Sequence, residues 1–484
     1  MNEKNRFESL ELKAELLENL ALIDHHQMTM IQEKSLPAIL AGKDVVARAK
    51  TGSGKTAAFA LGILNSINPS TVRVQALVLC PTRELATQVT TEIRRLARKI
   101  PNIRVLSLCG GNPFGPQVGS LVRGAHIVVG TPGRLLKHLK KDTLKLHSLT
   151  TLVLDEADRM LDMGFSEDIE EILDYSPNAR QTLLFSATYP DQIEEMSSRI
   201  QREAIHVDVT DLEAPAEIEQ HWVSTTRDTR ELALIEALET FGGTLNIVFC
   251  NTKRECHEIC ELLTAEKIPV RAIHGDLEQF ERTETLIQFA NQSVSVLVAT
   301  DVAARGLDIG KVDVVFNYEL PEQPEIYVHR IGRTGRAGRK GRAISLVTAQ
   351  ESRRLDAIKA HPGASHIEQS QLGASDGQPG LLAAPMTTIE INGGRRQKLR
   401  PGDLLGAITA TGEISGDSVG KIDVLENKTF LAISPKENLR AVKILNASPI
   451  KGRPFRARSL TQKRTERDPW ESARAASSLH DDLS

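Results

Sequence analysis

The sequence predicts an α/β protein with two tandem parallel-sheet domains followed by a small α+β domain. Three observations carry this prediction. Short apolar runs alternate with amphipathic helical patterns from about residue 34 to 348. The alternation is interrupted once, by an acidic, Pro-containing stretch at 208–218. After a Gly-, Ser-, Gln- and Pro-rich stretch at 361–385 the composition turns basic. A chain of 484 residues exceeds one ordinary core. The expected domains are 1–207, 219–360 and 386–460, with linkers at 208–218 and 361–385 and a polar, disordered tail at 461–484.

In the first domain the strand-like runs lie at 45–47, 76–80, 105–108, 127–129, 152–154 and 182–185, and an amphipathic helix is expected at 84–97. The second series has runs at 245–250, 270–273, 294–299, 312–316 and 343–347. Runs of this kind, apolar at most positions, fit strands covered on both faces by helices. The third region reads as short strands, with Leu404 and Ile408 on one of them, a short helix at 415–419 and a longer helix at 436–445.

The net charge of −3 hides an asymmetry. Residues 387–464 hold 15 Lys and Arg against 7 Asp and Glu, a balance of +8, whereas residues 1–386 carry −8. An acidic body with a compact basic module predicts a polyanionic partner for that module. The five cysteines form no C-x-x-C pair, and Cys80 and Cys250 sit in strand-like runs, so buried thiols are expected rather than disulfides or a metal site. No secretory segment opens the chain and no apolar run is long enough to span a membrane, which predicts a cytoplasmic location without membrane association.

Residues 49–56, Ala-Lys-Thr-Gly-Ser-Gly-Lys-Thr, read as a phosphate-binding loop, with Ala49 where the common pattern has Gly. Ala49, Lys50, Thr51, Gly52, Ser53, Gly54, Lys55 and Thr56 would surround a triphosphate, Lys55 reaching the β- and γ-phosphates. Residues 155–158, Asp-Glu-Ala-Asp, follow the apolar run 152–154 and so stand at a strand's C-terminal end. Asp155 and the Thr56 hydroxyl are candidates to hold Mg²⁺, partly through water, and Glu156 to polarise the attacking water.

Further motifs follow in order: Pro81–Ala86 (PTRELA), Gly110-Gly111, Thr131-Pro132-Gly133-Arg134, Ser186-Ala187-Thr188, residues 247–253 (IVFCNTK), 279–282 (QFER), 300–309 (TDVAARGLDI) and 329–339 (HRIGRTGRAGR). Over about residues 7–348 their order and spacing resemble the DEAD-box family of RNA-dependent ATPases. The resemblance implies two RecA-like domains with ATP, Mg²⁺ and RNA bound across their cleft. It gives Arg333 and Arg336 as arginine fingers, Asp308 as the ribose contact, Gln32 as the adenine reader and Phe7 as a ring stacking on the base. Asp158, Ser186, Thr188, His329 and Arg330 would couple the sites, with His329 and Arg330 tied to the DEAD carboxylates. The RNA groove would use Pro81, Thr82, Arg83, Gly110, Gly111, Thr131, Gly133 and Arg134, joined by Thr252, Gln279, Arg282 and Thr300. Met30 stands where family members have Pro before the Gln, a departure that bears on the loop around the adenine.

The segments 393–408, 419–424 and 450–458 resemble the RNA-binding domain of DbpA-type DEAD-box proteins, which implies a small RRM-like fold, a large-subunit rRNA partner, pre-ribosomal particles and a role in large ribosomal subunit assembly. Only Phe430 is placed to stack a base, so recognition is expected from a basic edge of Arg395, Arg396, Lys398, Arg400, Lys451, Arg453, Arg456 and Arg458. A monomer is expected. The alternatives are a general cytoplasmic RNA helicase of RNA decay or cold adaptation, and an RNA clamp that binds ATP without useful turnover.

Overall fold

In the computed structural model, the apolar runs become strands wherever both faces are covered. The structure describes residues 5–49, 52–209, 218–301, 312–335, 340–364, 366–372 and 382–460. Two compact units divide the chain, the first built mainly from residues up to 217 and the second from Ile218 onward.

The first unit holds a seven-stranded parallel sheet of β1 (Val45–Arg48), β2 (Ala76–Leu79), β3 (Val105–Leu108), β4 (Ile127–Gly130), β5 (Thr151–Asp155), β6 (Gln181–Ser186) and β7 (Ile205–Asp208), in the order β3-β4-β2-β5-β6-β1-β7. Strands β1, β2, β4 and β5 are buried almost throughout. Two apolar clusters, one on each side of the sheet, contain Phe59 and Phe185 on one face and Leu152 and Leu184 on the other. The expected helix at 84–97 is Arg83–Leu96, opened by the Thr82 hydroxyl accepting from the Leu85 N–H at 3.2 Å.

The second unit repeats the strand order. Its β8 (Ile218–Thr225), β9 (Asn246–Cys250), β10 (Val270–Ile273), β11 (Val296–Thr300), β12 (Val314–Asn317), β13 (Gly341–Thr348) and β14 (Ile367–Gln369) run β10-β11-β9-β12-β13-β8-β14. Shifting each label by seven maps one sheet onto the other. The 361–385 stretch, expected to be a flexible linker, is therefore corrected in part: β14 pairs with β8 and extends the sheet, and Leu382 lies against the same unit through its carbonyl, which accepts from the Ser295 hydroxyl at 2.7 Å.

The terminal region forms an antiparallel sheet, β15 (Thr387–Ile391), β16 (Val419–Val424), β17 (Thr429–Ile433) and β18 (Ala457–Ser459), in the order β16-β17-β15-β18. Its helices are Pro401–Thr409 and Asn438–Ala447, giving a strand–helix–strand–strand–helix–strand chain. Leu404 and Ile408 are thus helical rather than on a strand, and 416–418 is one 3₁₀ turn rather than the first helix. Pro at the first helical position and Asp403 accepting from the Arg400 N–H at 2.8 Å start that helix.

The strand period of two gives the terminal sheet two faces. Ile389, Ile391, Leu431 and Ile433 pack with Leu404, Ile408 and Leu445. The opposite face carries Thr388, Glu390, Phe430 and Ala432, and it is buried as well. It meets the neighbouring helix Gln279–Ala290 and the loop after it. The Lys428 ammonium stands 4.1 Å from the Phe280 ring centroid, the Thr388 and Ser293 hydroxyls are 2.7 Å apart, and the Met386 N–H donates to the Gln292 carbonyl at 3.3 Å. Glu390 is buried between Lys428 at 2.5 Å and Arg458 at 2.7 Å. Burial alone would raise its carboxyl, but the two cations hold it below the usual range.

Among the described residues no helix is long and apolar enough to cross a membrane. All five cysteines are free, four of them buried. Residues 210–217 of the expected linker and the tail 461–484 lie outside the described residues.

Candidate nucleotide site and nucleic-acid interface

Adjacent strands β5, β6 and β1 bring the first group of motifs together at their C-terminal ends. Beyond β1, Ala49 is buried, Gly52 and Gly54 have φ of +88° and +98°, and the helix Lys55–Ser66 starts directly after Gly54. Its first backbone N–H groups have no intrahelical partner, which makes the turn an anion site. The Lys55 ammonium is buried and donates to the Ala49 carbonyl at 2.7 Å. Lys50 and Thr51 lie outside the described residues. Ser53 has a buried hydroxyl with no hydrogen-bond partner among the described residues, and Thr56 follows Lys55 in the first helical turn.

Gln32 is buried, not a surface helix residue. Its carbonyl accepts from the Thr29 N–H at 2.9 Å and its amide donates to the Gly54 carbonyl at 3.1 Å. A Cβ on Gly54 would stand 2.6 Å from that amide nitrogen, so both the positive φ and the close approach require glycine. Met30 occupies the first position of the helix Met30–Leu40, where Pro is favoured but not needed, and the loop keeps its cap through Thr29 and Gln32. Phe7, expected to stack on the base, is instead 2% exposed and packed in the core cluster with Leu16 and Ile31. The ring is held by apolar neighbours before any ligand arrives.

Asp155 ends β5 and is 2% exposed. Burial first, and then the charge of Glu156, push its carboxyl up to about 7, with Lys55 pulling the other way. Glu156 adopts φ +54°, a left-handed conformation costly for a residue with a side chain. It pairs with Arg159 at 3.1 Å, both side chains being buried. Arg159 was missed from the sequence; the available signal was its i+3 spacing on a helix start. Asp158 accepts from the Thr188 hydroxyl at 2.8 Å, the Thr188 N–H at 2.9 Å and the Ala187 N–H at 3.2 Å. Burial raises its carboxyl, but the Thr188 hydrogen bonds and Lys55 outweigh that and hold it low. Of the two hydroxyls of the Ser-Ala-Thr motif, that of Thr188 reaches Asp158 and that of Ser186 does not: its buried Oγ has no partner among the described residues.

No group of three or more His, Cys, Asp or Glu side chains suited to a metal ion occurs among the described residues. One buried carboxylate, one hydroxyl and phosphate oxygens nonetheless suit Mg²⁺, which keeps much of its water shell. Asp155, poorly compensated in its burial, is the kind of oxygen donor such a cation would relieve.

The neighbouring strand ends β2, β4 and β3 carry the second group. Pro81, Thr82 and Arg83 follow β2, Gly110 and Gly111 follow β3, and Thr131, Gly133 and Arg134 follow β4. Arg83 lies against Gly110, where a Cβ would come within 3.0 Å of its guanidinium. Arg134 donates to the Asn112 carbonyl at 2.9 Å and the Gln117 side-chain oxygen at 2.8 Å. In the second unit the equivalent strand ends, β9 and β11, carry Thr252 and Thr300. Gln279 and Arg282 begin the helix Gln279–Ala290. Thr252 caps the helix Lys253–Ala265 through the Glu255 N–H at 3.2 Å.

Arg330 requires a correction. Its expected tie to the DEAD carboxylates needs a donor to spare, but all five of its N–H groups are used within its own unit. Nε and Nη2 grip Asp301 at 2.7 and 2.8 Å, Nη2 also reaches Asn251 at 2.7 Å, and Nη1 reaches the Glu319 carbonyl at 2.7 Å and Asn317 at 3.3 Å. These partners follow or end the adjacent strands β9, β11 and β12, so Arg330 pins three strand ends together. His329 is half-buried on the same helix, Pro324–Ile331, and Arg333 is buried just beyond it. Arg336 and Asp308 lie outside the described residues.

In the terminal domain Phe430 is wholly buried, so the one candidate stacking ring is closed to bases. Arg395, Arg396, Lys398, Arg400, Lys451, Arg453 and Arg456 are exposed. The two basic segments are joined by the Asn392 N–H donating to the Arg456 carbonyl at 2.8 Å and by Lys451 beside Asp403 at 2.7 Å. Arg458 is exposed too, and it also pairs with Glu390 at 2.7 Å.

A phosphate loop and an acidic strand end flanking β6, together with a second sheet of the same strand order, define a nucleoside triphosphatase built from two parallel-sheet domains. Family models match in series: the DEAD/DEAH box helicase over 29–196, the helicase conserved C-terminal domain over 229–338 and the DbpA RNA binding domain over 388–459. The chain is 47% identical over 448 residues to the ATP-dependent RNA helicase DbpA of Escherichia coli, covering 92% of this chain and 97% of that one. It is 45% identical over 355 residues to the helicase CshA of Streptococcus pneumoniae, covering 73% and 68%. Among solved structures, Saccharomyces cerevisiae Dbp5 bound to RNA and ADP BeF3 matches with a TM-score of 0.69 at 32% identity, over 76% of this chain and 96% of that one. Mss116p bound to ssRNA and AMP-PNP gives 0.69 at 29% identity, over 78% and 81%. The chain belongs to the DEAD-box helicases, of the DbpA type: an ATP-dependent RNA helicase with a DbpA RNA-binding domain.

Proposed function

We propose that this helicase is directed to large-subunit rRNA by its terminal domain and separates short duplexes nearby during assembly of the large ribosomal subunit, in the cytoplasm and as a monomer. The observation that carries the reading is the reach of the comparisons. The DbpA relative covers 92% of the chain and the terminal domain has its own family match, whereas the CshA relative covers 73%. An exposed basic edge beside a buried sheet face supports RNA recognition by charge and shape.

In the proposed mechanism Gly52, Ser53 and Gly54 turn the backbone toward the phosphates, and Lys55 exchanges the Ala49 carbonyl for phosphate oxygens. Gln32, bonded to the phosphate loop at Gly54, reports the base to that loop. Thr56 and Asp155 would hold Mg²⁺, which supplies positive charge to the phosphates when bound. Glu156, oriented by Arg159, polarises the attacking water and takes its proton at the carboxylate. Arg333 and Arg336 are assigned to neutralising the transferring phosphoryl group. Asp158 and Thr188 form a hydrogen-bonded link between the acidic motif and the Ser-Ala-Thr strand end. The groove residues hold the RNA backbone without reading sequence, so selectivity falls to the terminal domain.

The test uses the full chain and a variant with Arg395, Arg396, Arg453 and Arg456 changed to Gln. ATPase activity is titrated with large-subunit rRNA fragments and with poly(A) at fixed salt. One fragment stimulating the unaltered protein at far lower concentration, with that preference lost in the variant, supports the reading. Equal stimulation of both proteins by both RNAs refutes it and leaves a general RNA helicase.

A further inference from the structure

We propose that Phe114 is a base-stacking platform extending the RNA groove of the first unit past its Gly110-Gly111 end. The inference rests on the groove reading given above. Phe114 opens the helix Phe114–Val122 that follows the edge strand β3, so it stands at the end of the sheet farthest from the nucleotide motifs. It is only half-buried, so part of the ring is open to a ligand. The His138 ring lies against it, with centroids 4.1 Å apart and planes 15° from parallel. His138 is itself wholly buried and is held neutral by that burial and by Arg134 and Lys137, its pKa lowered to about 4. It therefore backs the ring as a fixed, uncharged plate.

Three cations gather round the same ring: Lys141 at 5.3 Å, Lys137 at 5.5 Å and Arg134 at 5.9 Å from its centroid. Lys137 and Lys141 are exposed, and neither has an ion-pair partner among the described residues. A pre-set aromatic ring surrounded by cationic side chains is the combination that binds single strands, the ring taking a base and the cations its phosphates. Arg134 joins the platform to the groove, since its guanidinium also bonds the Asn112 carbonyl next to Gly111. A single-stranded RNA leaving the groove at Gly111 thus meets Phe114 next.

The experiment uses the full chain with a non-hydrolysable ATP analogue and single-stranded RNAs carrying one 2-aminopurine, moved position by position. One position near the end of the bound stretch is expected to be quenched, with the quench lost in Phe114→Ala and kept in Phe114→Tyr. RNA long enough to reach that position is expected to bind Phe114→Ala about tenfold more weakly, and shorter RNA to bind equally. Arg83→Ala is run in parallel to test the groove. A quench pattern indifferent to Phe114, while Arg83→Ala loses binding, overturns the platform and leaves the groove standing. Unimpaired binding by Arg83→Ala overturns the groove reading itself.

Discussion

Replacing Asp155 by Asn removes a carboxyl that folding holds near 7 against an ordinary value of 3.8. Between those two values the folded protein keeps a proton that the unfolded chain has lost. The contribution of Asp155 to the stability of the nucleotide-free protein therefore falls as pH rises from 3.8 to about 7 and is level above it. Evaluated at pH 5 and pH 8 with these two values, the loss on going to the higher pH is roughly 2–3 kcal/mol at 25 °C. Asparagine carries no charge and escapes that loss. Asp155→Asn should thus gain roughly 2–3 kcal/mol on the wild type between pH 5 and pH 8, or on the order of 5–10 °C in the midpoint of a domain of this size. Calorimetry in the absence of nucleotide and Mg²⁺ measures it, read on the transition that ATP shifts in the wild type. A difference between the two proteins that stays constant across this range would refute the claim that Asp155 is protonated in the free site.

Glu156→Gln keeps the shape of the site and removes the base. It should bind ATP with near-normal affinity and turn it over at least about a hundredfold more slowly; unchanged turnover would remove Glu156 from the chemistry. Arg330→Ala strips Asp301 and three strand-end acceptors of a buried cation. It should cost about 3–5 kcal/mol in denaturant unfolding of the second unit, and a fully stable variant with altered ATPase alone would instead restore the tie to the DEAD carboxylates.

Strands buried on both faces were legible because nearly every position is apolar, as in β5 and β9. The missed strands lack that cover. Ile205–Asp208 is an exposed edge, Ile367–Gln369 is three residues long, and Ile218–Thr225 has mixed polarity with a largely half-exposed pattern. The helix Pro401–Thr409 was missed because Leu404-Leu405-Gly406-Ala407-Ile408 is a short apolar run, which periodicity alone cannot assign. Motif spacing placed the acidic and phosphate-loop residues on adjacent strand ends. It could not say which partner each polar group takes: Gln32 with Gly54, Glu156 with Arg159 and Arg330 with Asp301 are matters of distance in the folded chain. The burial of Phe430 was equally invisible, because the helix that covers it lies more than a hundred residues earlier.

That covering helix has its own consequence. Gln279 and Arg282 occupy its first turn, while Phe280 and Glu284 face the charges of the terminal sheet, Lys428 and Glu390. One short rod is shared between the end proposed to grip the RNA backbone and the mount of the terminal domain. If the basic edge holds RNA as proposed, the anchor is a ruler rather than a leash: the bound RNA is set at a fixed offset from the second sheet, through the contacts of Phe280 and Ser293 with Lys428 and Thr388. On the proposed function, a helicase gauged in this way would select its duplex by its distance from the anchored element, with no need to read the duplex itself.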